Sequence, residues 1–278
     1  MTQTNSQPDD SKVSYFFVGV GKCGTSWLYE FFKRHNLISV PLLKEPYLIG
    51  KPPEDQTAII EKLYDSRNDM ADFSTLYYWD PENAQQIYEY NPNARVLITI
   101  RMPSERIVSH FHFLRRSGMV QEETIAEYLE SGDREDIVKR SSYREMIQRY
   151  TDVFGPKQII LLPLEQLNRS PQLYVDRLCD FLGVPRVSLD EEDLKPVLQK
   201  ARARSMVLSR IAKFSPTTLR KLGLLTLLGR LKASTMLRAI LFKDVTTKEE
   251  VVWGARKHEI DEMDSDYALL LKENDISL

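Results

Sequence analysis

The residues best suited to chemistry lie close to the start of the chain. Gly19, Gly21 and Gly24 alternate with Lys22, Thr25 and Ser26. Glycine lets backbone N–H groups approach a ligand, the first amides of a helix lack internal partners, and the helix dipole favours negative charge there. Lys22 adds a full positive charge, while Thr25 and Ser26 add hydroxyl donors. The stretch therefore reads as a phosphate cradle. It is not a Walker A loop, because Gly21-Lys22 is followed by Cys23 instead of Ser or Thr, and Phe16 holds the place of the first glycine. A second group is Lys44-Glu45, set between Pro41 and Pro46. A carboxylate lifted toward neutrality by burial can take a proton from a hydroxyl. A solvated loop charge is the plainer alternative for Glu45.

These groups need elements to hold them. Tyr15–Val18 has the length and composition of a fully buried strand. After the glycine turn, Trp27, Leu28, Phe31 and Phe32 recur with helical spacing. Arg95–Ile100 is a second buried strand with Arg101 at its carboxyl end, and Pro103 suits the first position of a helix. Leu37–Val40, a segment near residue 72 and Gln158–Leu162 complete five expected strands. Leu173–Gly183 is an amphipathic helix closed by Gly183, with Pro185 beyond it.

The run Lys22-Cys23-Gly24-Thr25-Ser26-Trp27 resembles the 5′-phosphosulfate loop of sulfotransferases that use 3′-phosphoadenosine 5′-phosphosulfate (PAPS). The spacing from Arg101 through Pro103 and Arg106 to Ser109 resembles the segment by which that family holds the nucleotide's 3′-phosphate. A guanidinium fork and a hydroxyl suit phosphate oxygens, whereas Arg106 reads as a structural ion pair. Lys44-Glu45-Pro46 resembles the polysaccharide-type and bacterial branch, whose glutamate is the general base; the histidine of the phenol-type cytosolic branch is missing there. Asp72-Phe73-Ser74-Thr75-Leu76-Tyr77 resembles a third family segment, but Phe73 stands where relatives carry a lysine lining the acceptor cleft. Glu165-Gln166-Leu167 matches a Glu-x-Leu after the fourth family strand. The resemblance runs from about Tyr15 to Pro185. It implies a nucleotide-kinase-like three-layer α/β fold with a central parallel sheet. It also implies sulfuryl transfer from PAPS to a hydroxyl, or less readily an amine, of a small-molecule, lipid or saccharide acceptor. Lys22 and Glu45 would be catalytic. Lys22, Cys23, Gly24, Thr25, Ser26, Trp27, Arg101, Ser109, Arg202 and Arg204 would bind the nucleotide, and no metal is required.

A chain of 278 residues with 42% hydrophobic and 28% charged residues can bury a full core. The net charge of −2 gives no global reason to invoke nucleic acid. Cys23 and Cys179 form neither a disulfide framework nor a zinc pattern, so a reducing, cytoplasmic location is expected. No secretory signal or membrane-spanning run is seen.

The expected organisation is a disordered tail (1–12), an α/β core (13–195) and a helical, basic C-terminal region (196–278). From Ala201 to Lys243 there are ten basic residues and no Asp or Glu. Three readings stand for that run: a cationic lid bringing Arg202 and Arg204 to the nucleotide, packed helices with ordinary basic faces, or helices resting on an anionic membrane. Two other functions remain open, a P-loop phosphotransferase and a non-catalytic membrane- or partner-binding protein using 201–243. Oligomeric state and acceptor identity are not written in the sequence.

Overall fold

The computed structural model describes residues 12–65, 69–133, 135–195 and 251–278, together with the backbone of 201–203 and 242–244. Among these, one compact unit draws on residues 12–106, 139–195 and 262–278, and a second on 107–138 and 251–261.

The apolar runs of the first unit form a parallel sheet in the order β2-β1-β3-β4. Its strands are β1 (Tyr15–Gly19), β2 (Ala71–Asp72), β3 (Arg95–Ile100) and β4 (Ile159–Pro163). Successive side chains of a strand point to opposite faces, and here both faces are covered. Phe16, Val18, Val96, Ile98 and Leu161 enter one core, with Ile87, Tyr150 and Leu270. Tyr15, Phe17, Leu97, Ile160 and Leu162 enter the other, with Leu28, Phe32, Tyr174 and Leu178. Burial on both sides is what a parallel sheet demands, and it explains why these strands read as unbroken apolar runs. The resulting α/β architecture, helices on either side of a central parallel sheet, is the expected one.

Layering on the sheet are α1 (Thr25–His35), α2 (Pro53–Leu63), α3 (Asn83–Tyr90), α6 (Arg144–Phe154), α7 (Leu164–Arg169) and α8 (Pro171–Leu182), while α4 (Pro103–Arg116) leaves the end of β3. Gly183 closes α8 in the left-handed region (φ 74), as its glycine signal implied. The last helix, α9 (Lys257–Glu273), places Tyr267, Leu270 and Leu271 in the first core. In the second unit, α5 (Ile125–Glu130) begins with a reciprocal capping box between Thr124 and Glu127.

Two expectations change. Leu37–Val40 is not a strand but contributes one parallel bridge, Ser39 to Met70. Pro41, which lacks the N–H a continuing ladder needs, follows at once. The basic run begins and ends in strands rather than helix: β5 (Ala201–Ala203) pairs antiparallel with β6 (Phe242–Asp244), Arg202 opposite Lys243. The rest of that run, Arg204 included, and the expected tail up to residue 11 lie outside the described residues. Among the described residues, no helix is long and apolar enough to cross a membrane.

Candidate active site

From β1 the chain reaches β2 on one side and β3 on the other, so the strand order reverses between β1 and β3. Ligands of open α/β sheets sit outside the carboxyl ends of strands at such a switch point. The glycine turn leaves β1 there, and Arg101 leaves β3 there, with Gly19 in register with Ile98.

Gly19 has φ 142, and a Cβ on it would stand 2.6 Å from Tyr78 Cδ1 and 2.8 Å from the Thr75 carbonyl oxygen, so the position admits only glycine. Lys22 (φ 77) and Gly24 (φ 92) are both left-handed and bend the loop into the start of α1. The loop's carbonyls are held from behind. Thr99 Oγ1 donates to Gly19 O at 3.0 Å and to Val20 O at 3.3 Å. The Arg106 guanidinium, 1% exposed, donates to Gly21 O at 3.2 Å, Ser141 Oγ at 2.8 Å and the Tyr78 hydroxyl at 3.4 Å. The expected role is half of a structural ion pair; the partners seen here are a carbonyl and two hydroxyls, and through them Arg106 secures the floor of the loop.

Gly24 gives α1 no side-chain cap, and the first turn carries no acid. Its dipole end is therefore left to Thr25, Ser26 and whatever anion binds. Two predicted contributors work differently from the expectation. Cys23 is fully buried and its thiol is pushed up to about 12 by that burial, so only its backbone can face a ligand. The Trp27 amide is spent on Gly24 O at 2.9 Å. Its indole stacks on Phe31 at 5.2 Å and donates to Asp193 O at 2.6 Å.

Glu45 reaches this loop through its neighbours. Its backbone is left-handed (φ 65), which turns the segment back on itself after Lys44. Glu45 Oε1 accepts from Thr75 Oγ1 at 2.9 Å, and Oε2 accepts from the Tyr47 hydroxyl at 2.8 Å. Thr75 Oγ1 in turn lies 3.7 Å from the place a Gly21 Cβ would take. Lys44 Nζ donates to Thr25 Oγ1 at 3.0 Å and Ser26 Oγ at 3.4 Å, and stands 3.9 Å from Glu45 Oε1. A carboxylate, an ammonium and two helix-start hydroxyls are therefore gathered beside the glycine turn. Sequence reasoning gave Lys44 no role, although its place beside Glu45 between two prolines was a usable signal.

Behind Glu45 stands Asp72, which is completely buried. It accepts from the Ser74 hydroxyl, from the Tyr77 hydroxyl at 2.9 Å and from Leu48 N at 3.3 Å. Ser74 and Tyr77 pass the anchorage on, accepting Tyr47 N and Ile49 N at 2.9 Å each. Burial lifts the Asp72 carboxyl up to about 6 against the pull of its three donors. Phe73 points the other way and stacks on Phe17 at 3.8 Å. In this chain position 73 is a core position, so the missing lysine says nothing about the acceptor.

Arg101 Nε and Nη2 both donate to Glu105 Oε2, at 3.1 and 2.7 Å. Amides at the entry to α4 are held by carboxylates: Met102 N, just before the helix, by Glu165 at 2.8 Å, and Ser104 N by Asp264 at 2.9 Å. Glu165 also accepts from the Tyr267 hydroxyl at 2.6 Å. Ser109 lies half-buried on α4. Arg202 is described by its backbone on β5 alone.

Comparison with known proteins identifies a family and a fold. Residues 13–221 match the family model described as "Sulfotransferase domain". The 3-alpha-hydroxysteroid sulfotransferase of Cavia porcellus is 24% identical over 106 residues, covering 38% of this chain and 36% of that protein. The chain thus spans about a third of the length of that curated relative. The crystal structure of a sulfotransferase from Alicyclobacillus acidocaldarius has the same fold, with a TM-score of 0.55 at 24% identity over 66% of this chain and 88% of that one.

Proposed function

Because the chain belongs to the sulfotransferase domain family, we propose that it transfers a sulfuryl group from PAPS to an acceptor hydroxyl. The observation that carries this reading is the meeting of Glu45, Lys44, Thr25 and Ser26 beside the Gly19–Gly24 turn. The cradle suits the 5′ end of PAPS: it offers the open start of α1, two hydroxyls and the Lys44 ammonium beside them, and its carbonyls are held from behind. PAPS, when bound, supplies the sulfuryl group, and adenosine 3′,5′-bisphosphate is what remains.

In this reading Glu45 takes the proton of the acceptor hydroxyl as the new oxygen–sulfur bond forms, then releases it to solvent. Lys22 stabilises the negative charge gathering on the phosphate oxygen as the old sulfur–oxygen bond breaks, the kind of electrostatic help that is often the largest catalytic contribution. Thr25, Ser26 and the loop amides hold the 5′-phosphate in line with the acceptor. Arg101, with Ser109 by family resemblance, takes the 3′-phosphate, and Arg101 exchanges its Glu105 partner for the ligand. The acceptor is a hydroxyl compound whose further identity is open.

Calorimetry with adenosine 3′,5′-bisphosphate and with ATP, followed by sulfate transfer to a panel of hydroxyl acceptors, tests the reading. Clear preference for the bisphosphate with PAPS-dependent transfer is expected. Magnesium-dependent ATP consumption without bisphosphate binding would replace it with a phosphotransferase.

A further inference from the structure

Lys44 touches both sides of the site, the helix-start hydroxyls of Thr25 and Ser26 and the carboxylate of Glu45. An ammonium has three donors and no acceptor, whereas a hydroxyl has one proton and two lone pairs. Where Lys44 Nζ meets Thr25 Oγ1 and Ser26 Oγ, the hydroxyl oxygens must therefore accept. A lone pair of each is then engaged by Lys44, and each proton is directed elsewhere. At the start of a helix with no side-chain cap, a bound anion is the natural recipient.

The second contact matters as much. Glu45 Oε1 is 3.9 Å from the same nitrogen. A carboxylate base beside a multiply charged nucleotide faces like-charge repulsion, and a cation lodged between them offsets it. The Lys44 side chain is 21% exposed, so this charge is only partly screened by water. Burial lowers its pKa, while the Glu45 carboxylate works in the opposite direction and favours the charged form.

Building on the sulfotransferase reading, we propose that Lys44 is a positioning residue for the donor. It fixes the Thr25 and Ser26 hydroxyls as donors to the 5′-phosphate and separates that anion from Glu45.

The test is a double-mutant cycle on the full chain, read by calorimetry with adenosine 3′,5′-bisphosphate and by thermal melting. Lys44→Met should weaken binding about tenfold, the scale of a charge-assisted hydrogen bond, with the melting temperature changed by no more than a few degrees. In a Thr25→Val background the same substitution should cost about threefold or less, because part of its effect runs through the hydroxyl that has been removed. Lys44→Gln, which keeps a donor without the charge, should fall between wild type and Lys44→Met, and it serves if the methionine variant does not fold. An equal loss in both backgrounds, or Lys44→Met and Lys44→Gln both binding as wild type does, overturns the proposal while leaving the sulfotransferase reading intact. Failure of the wild-type chain to bind the bisphosphate overturns both.

Discussion

Replacing Asp72 by asparagine tests whether a buried acid holds the segment that carries Glu45. Asp72 has no exposed surface, and burial lifts its carboxyl from 3.8 to about 6. In the unfolded chain it returns to the ordinary carboxylate range. Below pH 3.8 the group is protonated in both states and is neutral toward folding. Between that value and about 6, the folded chain holds a proton that the unfolded chain has released, so stability falls as pH rises. The shift corresponds to about 3 kcal/mol lost across this window. In Asp72→Asn the amide oxygen can still accept from Tyr77 and Leu48, but the ionisation is gone. Urea melts of both proteins from pH 3.5 to 7 should therefore show the stability difference changing by about 3 kcal/mol in favour of the variant as pH rises. The difference cancels every other titrating group, which makes the measurement specific. Parallel stability curves would refute the reasoning, since they would mean that Asp72 titrates alike folded and unfolded.

The other predictions concern the loops themselves. Lys22→Ala should lower kcat by about 10²–10³ while moving the melting temperature by only a few degrees; matched losses of rate and stability would argue against its role in stabilising the leaving group. Arg101→Ala should weaken adenosine 3′,5′-bisphosphate and leave AMP nearly unaffected in calorimetry, and an equal loss for both would remove it from the 3′-phosphate site. Glu105→Gln should do the reverse and tighten the bisphosphate up to about fivefold, because the partly exposed Arg101–Glu105 pair is worth at most about 1 kcal/mol; weaker binding in that variant counts against Arg101. Native protein at pH 8 should resist iodoacetamide at Cys23, whose thiol is buried and pushed up to about 12, and mass spectrometry would expose the error if that residue were labelled as fast as in urea.

Much of the scaffold was readable before any coordinates. Tyr15–Val18 and Arg95–Ile100 announce themselves because strands covered on both faces can carry almost no polar residues, and Gln158–Leu162 falls one residue from β4. Leu37–Val40 misled because an apolar run declares burial but not a partner, and Ser39 alone finds one. In the site, Lys22, Thr25, Ser26 and Glu45 were legible through local spacing. Lys44 was not, because its meaning lies in contacts with hydroxyls in another element. Asp72 was hidden for a related reason: an acid in a sequence looks solvated until Ser74, Tyr77 and Leu48 are seen to converge on it. Phe73, which stands where relatives carry a lysine, stacks on Phe17 in the core.

The buried Arg106 guanidinium has a thermodynamic corollary. A loop whose underside is bolted to Gly21 O, Ser141 and Tyr78 keeps its shape without a guest. Under the proposed reading, little ordering entropy is lost when the nucleotide docks, and more of the contact energy appears as affinity. Selectivity must come from the fit of a rigid mould, not from a shape that each ligand induces for itself.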